Sequence, residues 1–155
     1  MTPAIKLAQK HKIKHTIHEY KHDATHASFG EEASEKLGVP QPQVFKTLVV
    51  ELDTKALAVC IIPVSHSLNL KATAKSAKAK KAAMADKQEV QRSTGYVLGG
   101  VSPLGQKKRL LTLIDESALS FETIYVSAGK RGLEIELAPQ DLQNLCSAQF
   151  FNIKN

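Results

Sequence analysis

Residues 133–137 read Leu-Glu-Ile-Glu-Leu, apolar and acidic positions alternating one for one. Period two is the repeat of a half-buried strand, so Leu133, Ile135 and Leu137 are expected inward and Glu134 and Glu136 outward. The same period runs through KHTIHEY at 14–20, with His15, Ile17 and Glu19 on one face and Thr16, His18 and Tyr20 on the other. VFKTLVVEL at 44–52 and ALAVCIIPV at 56–64 are separated only by 53–55, which predicts a hairpin. RLLTLID, TIYVSAG and QFFNI supply further strands.

Helical signals fall between these runs. Thr2 followed by Pro3 is a helix start, with Ala4, Ile5 and Ala8 able to share an apolar side. SFGEEASEKLGVP predicts a helix from Ser28 to a stop at Gly38. The lysine-rich stretch at 71–81 is expected to be helical. Asp86 with Glu89 three residues on is a capping-box pattern for a further helix. PQDLQNL opens with Pro139, and Leu142, Leu145 and Cys146 recur at helical spacing. Hairpins mixed with helical connections, without a regular βα alternation, predict a mixed α+β fold: one compact domain over 1–155, built on a curved, barrel-like mixed sheet flanked by helices.

Composition narrows the class. The chain has 155 residues, enough for one real core. Its longest apolar run is well short of a membrane span, and MTPAIKLAQKHK carries no export signature. Cys60 and Cys146 lie far apart in apolar segments and read as core thiols in a reducing compartment, which points to the cytoplasm. The net charge is +6, and KATAKSAKAKK at 71–81 holds five of the lysines and no acid, leaving a near-neutral body. Such a strip is either a solvated helix face or the footprint of a polyanion.

Candidate chemistry is sparse. GYVLGGVSPLGQKKR at 95–109 crowds Gly95, Gly99, Gly100 and Gly105 around Pro103. It is not a P-loop, because Gln106 interrupts the Gly-Lys-Ser/Thr ending and Pro103 removes an amide. A bare turn and a backbone-lined pocket wall remain. The histidines at 11, 15, 18, 22, 26 and 66 have no zinc-ligand spacing, so no metal is expected. There is no GxSxG elbow and no placeable Ser–His–Asp or Cys–His set. Lys46 stands out. Alternation puts it with Val44, Leu48, Val50 and Leu52, where an ammonium either snorkels from the strand end or sits at the mouth of a half-buried cavity.

FKTL at 45–48, RSTGYVLGGVSPLGQKKR at 92–109 and TIYVSAGKRGLEIEL at 123–137 together resemble the YbaK/EbsC family, relatives of the editing domain of bacterial prolyl-tRNA synthetases. The resemblance spans nearly the whole chain and is strongest to the branch that hydrolyses Cys-tRNA(Pro). It implies trans editing of mischarged Cys-tRNA(Pro), with prolyl-tRNA synthetase as partner and no cofactor; neither a membrane nor DNA is an expected partner. It implies that Lys46 is the required lysine, that Tyr20, Phe29, Thr47, Gly99, Gly100 and Ser127 line the substrate pocket, and that the cysteinyl thiol attacks its own ester. On that reading the lysine strip (Lys71, Lys75, Lys78), Lys107, Lys108, Arg109, Lys130 and Arg131 would hold tRNA phosphates. Departures from the family pattern are Ala128 in place of a second glycine, Ala83 in place of an acid, and a short 53–55 turn. The alternatives are a water-using editor of another aminoacyl-tRNA such as Ala-tRNA(Pro), and a non-catalytic aminoacyl-tRNA-binding module.

Overall fold

The computed structural model describes residues 1–26 and 28–155, apart from the side chain of Phe29. The order is α1 (Pro3–Lys10), β1 (His15–Glu19), α2 (Phe29–Leu37), β2 (Phe45–Leu52), β3 (Leu57–Pro63), α3 (Leu70–Ser76), β4 (Ala82–Met84), α4 (Lys87–Thr94), β5 (Leu111–Asp115), β6 (Ile124–Lys130), β7 (Leu133–Leu137), α5 (Pro139–Cys146) and β8 (Gln149–Phe151). This is the mixed α+β fold expected, and its strands divide into two sheets. One is antiparallel, in the order β1-β7-β6; the other is mixed, in the order β4-β2-β3-β5-β8. A parallel bridge between Val44 and Tyr125 joins them.

The apolar patterns explain the layers. β3 is an unbroken aliphatic run because both its faces are covered. Val59 and Ile61 enter the main core with Phe45, Val49, Ile114, Val126 and Ile135. Ala58, Cys60 and Ile62 enter a second cluster with Val50, Leu52 and Leu113. The main core lies between the sheets and is closed by α1 and α5, which bury Ala4, Ile5, Ala8 and Leu142. The expected 44–64 hairpin forms in register, with Phe45 opposite Pro63 and Glu51 opposite Leu57.

Caps sit where the sequence puts them. Thr2 Oγ1 accepts from Ile5 N, and Gly38 ends α2 in the left-handed region at φ 67°. Asp86 caps α4 through Gln88 N, but Glu89 pairs with Arg92 instead of closing the box. The lysine-rich helix is shorter than expected. It stops at Ser76, and Lys80 N and Lys81 N both donate to Asp53 Oδ1, at 2.9 and 3.0 Å. That tie draws the strip alongside β2 and makes 82–84 a strand, with Ala83 opposite Glu51.

Candidate active site

A cavity of about 380 Å³ opens where the two sheets part beyond the Val44–Tyr125 bridge. Its volume is that of a small-molecule site, roughly 300–1,000 Å³. Three structural layers build it. The outer face of the antiparallel sheet contributes Ser127 and Glu134, which are direct cross-strand partners, and Tyr20 just past β1. β2 contributes Lys46 and Thr47. It pairs with β4 only over 50–52, so the cavity reaches it from an open edge. The start of α2 and the loop after α4 close the mouth, the latter through Leu98, Gly99 and Val101.

Lys46 is half-buried, and burial lowers its pKa against the opposing pull of the Glu31 carboxylate. An ammonium so placed interacts strongly with any oxygen that develops negative charge nearby. Thr47 Oγ1 is buried and has no hydrogen-bond partner among the described residues. A buried hydroxyl left this way costs about 1–3 kcal/mol, which a bound polar group would recover. Tyr20 is pushed up to about 12, first by burial and then by the charges of Glu134 and Glu32, so its phenol keeps its proton. Ser127 Oγ accepts from Gly129 N at 3.1 Å.

The glycine loop divides its work. Gly95 caps α4, and Gly105 packs on the backbone of Pro3. Gly99, at φ 91°, is the one that lines the cavity. Gly100 is set back from it. Its amide donates to Val97 O, and a Cβ there would lie 2.9 Å from Lys130 Cα. Gly100 therefore lets two backbones touch, and its amide is already engaged. Phe29, the remaining expected wall, has its side chain outside the described residues. Ala128 does not crowd the cavity, because its methyl is fully buried in the main core.

Two site residues differ from the sequence reading. Glu134 was expected to face outward to water, yet it is 7 % exposed and lines the cavity. Burial pushes its carboxyl up to about 8, and no side-chain hydrogen bond holds it among the described residues. Ala33 of α2 packs in one cluster with Tyr20 and Tyr125, and the start of α2 lines the cavity, so outward here means into the cavity. The signal was present in the tight 123–137 hairpin, which sets Glu134 beside Ser127. Arg131 also turns inward. It lines the cavity, donates from Nη2 to His26 O at 2.9 Å and lies 3.9 Å from the fully buried Glu32. Glu32 accepts from Asp23 N at 2.7 Å and pairs with His22 at 2.8 Å. Burial alone would raise its pKa, but these partners and Arg131 outweigh it and hold the carboxyl below its ordinary value. Lys71, Lys75, Lys78, Lys107, Lys108, Arg109 and Lys130 are exposed and outside this cavity.

Among the described residues no histidine or cysteine lines the cavity. Cys60 and Cys146 are free thiols, each pushed up to about 12 by burial. Among the described residues no helix is long and apolar enough to cross a membrane.

Residues 22–145 match the model of the aminoacyl-tRNA editing domain. The chain is 38% identical over 152 residues, covering 98% of it and 92% of the relative, to the Enterococcus faecalis protein named "Putative Cys-tRNA(Pro)/Cys-tRNA(Cys) deacylase EbsC". It is 28% identical to the uncharacterized protein YwhH of Bacillus subtilis over 72% of the chain and 71% of that protein. The fold matches the crystal structure of hypothetical protein APE2540 with a TM-score of 0.89 at 22% identity, covering 99% of this chain and 100% of that one. It also matches a "putative trans-editing enzyme for prolyl tRNA synthetase" with a TM-score of 0.83 at 21% identity, covering 100% and 99%. The chain belongs to the aminoacyl-tRNA editing domain family of deacylases.

Proposed function

We propose that this protein deacylates mischarged Cys-tRNA(Pro) in trans, in the cytoplasm, with prolyl-tRNA synthetase as its partner. The observation that carries this reading is a cavity with a desolvated ammonium and, among the described residues, an unpartnered hydroxyl and no histidine or cysteine to run nucleophilic chemistry. Such a site suits a substrate that brings its own nucleophile.

In the proposed step the cysteinyl thiol loses its proton and its sulfur attacks the carbonyl carbon of its own ester. The C–S bond forms, the bond from that carbon to the tRNA 3′ oxygen breaks, and the leaving oxygen takes up a proton. The product is a cyclic thioester that water then opens. The protein's tasks are positioning and charge stabilisation. Lys46 and the amide of Gly99 meet the developing oxyanion or the terminal nucleotide. Thr47 and Ser127 offer hydroxyls, and Tyr20 walls the acyl group. Glu134 faces the substrate's α-ammonium, the one cationic group the aminoacyl end carries. Selectivity follows from the chemistry. An alanyl ester has no thiol, and the hydroxyl of a seryl ester is a poor nucleophile at neutral pH.

The test is deacylation of Cys-tRNA(Pro) and Ala-tRNA(Pro) side by side, by wild type and Lys46→Ala. Loss of the cysteinyl ester alone, slowed at least ~100-fold by the substitution, is the expected result. Loss of the alanyl ester would point to a water-using editor. Binding of both esters without loss of either would point to a carrier module.

A further inference from the structure

The loop that walls the substrate cavity continues into a second one. Leu98, Gly99 and Val101 line the first, and Pro103 and residues 105–110 line a separate cavity of about 280 Å³. Leu7 of α1 and Leu145 and Cys146 of α5 form its other side. Lys107, Lys108 and Arg109 follow one another along it, and no carboxylate among the described residues lines it. None of the three forms an ion pair among the described residues.

This cationic segment is held in shape. Lys107 N and Lys108 N donate to Thr94 O and Ser93 O, both at 3.0 Å, and Tyr96 Oη donates to Leu104 O at 2.6 Å. Arg109 Nη1 donates to Ser147 Oγ at 2.9 Å. The nearby negative ends of helices α4 and α5 amount to about half a charge each, against three full cations. The local balance is thus strongly positive in a concave, rigid setting. Two point-like ammoniums beside a planar guanidinium fork suit the tetrahedral oxygens of a phosphate. The lysine strip differs. Lys71 and Lys75 lie on an exposed face of α3, lining neither cavity, and the amides of Lys80 and Lys81 are tied to Asp53.

We propose that the 105–110 cavity grips a backbone phosphate of the tRNA, and that the lysine strip is chiefly a solvated face. The inference rests on the reading above that tRNA carries the substrate. It adds that one loop joins the phosphate grip to the ester site, so that docking the RNA braces the wall carrying Gly99.

The experiment measures binding of uncharged tRNA(Pro) by fluorescence anisotropy between 50 and 200 mM salt. Wild type is compared with Lys107→Gln/Lys108→Gln/Arg109→Gln and with a charge-matched control, Lys36→Gln/Lys55→Gln/Lys87→Gln. The cavity variant is expected to bind ~tenfold weaker or worse, with the slope of log K against log[salt] reduced by about 2–3. The control should lose less than half of that. Equal losses in the two variants would overturn the site and leave only net charge. The single variant Lys108→Gln, with a slope reduced by about 1, covers the case in which the triple variant misfolds. A second arm titrates wild type with inorganic phosphate and follows the amide NMR signals of residues 105–110. Saturation at low millimolar phosphate, together with unchanged tRNA affinity in the variants, would assign the cavity to free phosphate and overturn the RNA reading. Because the tRNA is uncharged, failure of the deacylase reading shows separately, as survival of Cys-tRNA(Pro) with wild type.

Discussion

Glu134 and Glu136 sit two residues apart on the same face of one strand, and the fold treats them oppositely. Glu136 lies on the open half of the outer sheet face. His18 Nε2 is 2.9 Å from one of its oxygens and Thr123 Oγ1 donates to the other at 2.6 Å. Burial works against its charge, but these bonds win and its carboxyl stays below the ordinary value. Glu134 lies on the half that enters the cavity with the start of α2 and the 98–101 loop, where burial pushes it up to about 8 and no side-chain hydrogen bond among the described residues offsets it. A strand that needed only solubility would have no use for the second arrangement. One face therefore holds two kinds of carboxylate: a hydrogen-bonded one that joins β1 and β7 to the segment leading into β6, and one that lines the cavity with no side-chain hydrogen bond among the described residues.

The contrast is largest in stability against pH. A carboxyl whose folded pKa is about 8 and whose ordinary value is 4.5 binds more protons folded than unfolded between those limits. Its contribution is therefore fully present below 4.5 and is lost as the pH rises toward 8. Denaturant unfolding should accordingly find Glu134→Gln more stable than wild type above pH 8. The expected gain is on the order of 4 kcal/mol, shrinking to near zero by pH 4. A gap that did not change with pH would mean that Glu134 is better solvated than its burial indicates.

Next in size is the effect on the reaction. If Glu134 receives the α-ammonium, losing that charge-assisted bond costs about 1.5–3 kcal/mol. For Glu134→Gln, kcat/KM on Cys-tRNA(Pro) should fall roughly 10- to 100-fold. Glu136→Gln should stay within about threefold of wild type, since it contacts no part of the cavity. Comparable losses in both variants would collapse the distinction between the two halves of the face. Affinity for the unreactive alanyl ester should also rise with pH toward 8 in wild type, as Glu134 ionises, and this rise should be absent in Glu134→Gln.

Much of this was legible in the residues themselves. β3 had to be buried on both faces because its run of Leu57–Pro63 has no polar break. Lys46 was conspicuous because its neighbours on that face are aliphatic, and the long glycine-loop match pointed to the family. What escaped depends on contacts distant in sequence: periodicity reports which side chains share a face, not what meets that face. Glu134 was assigned outward correctly in direction, but the start of α2, about a hundred residues away in sequence, lines the same cavity that this face enters. β4 escaped because Ala82–Met84 has no alternation of its own; the Asp53 carboxylate, holding two amides of the strip, brings it to the sheet edge. Arg131 looked like one more surface cation because nothing in KRG announces the buried Glu32 it faces.

The smallest effect belongs to the open half and tests its claim to be structural. Glu136, with its folded pKa lowered, contributes stability that is present above its ordinary value and lost as the pH falls through the folded one. Replacing it by Gln keeps the shape and one acceptor, and removes the charge that His18 and Thr123 address. The expected cost at pH 7 is about 1 kcal/mol, or a Tm lower by roughly 2–4 °C. That difference should disappear once the pH falls below the lowered folded pKa, where wild type is itself protonated. Both variants then part from wild type as the pH rises, with opposite signs: Glu134→Gln by gaining stability toward and above pH 8, Glu136→Gln by losing it from the ordinary carboxylate range upward. Two glutamates on one strand with profiles of opposite sign would be the thermodynamic signature of a sheet face that half enters its site. Parallel profiles would mean that the cavity does not shield Glu134 as the fold places it.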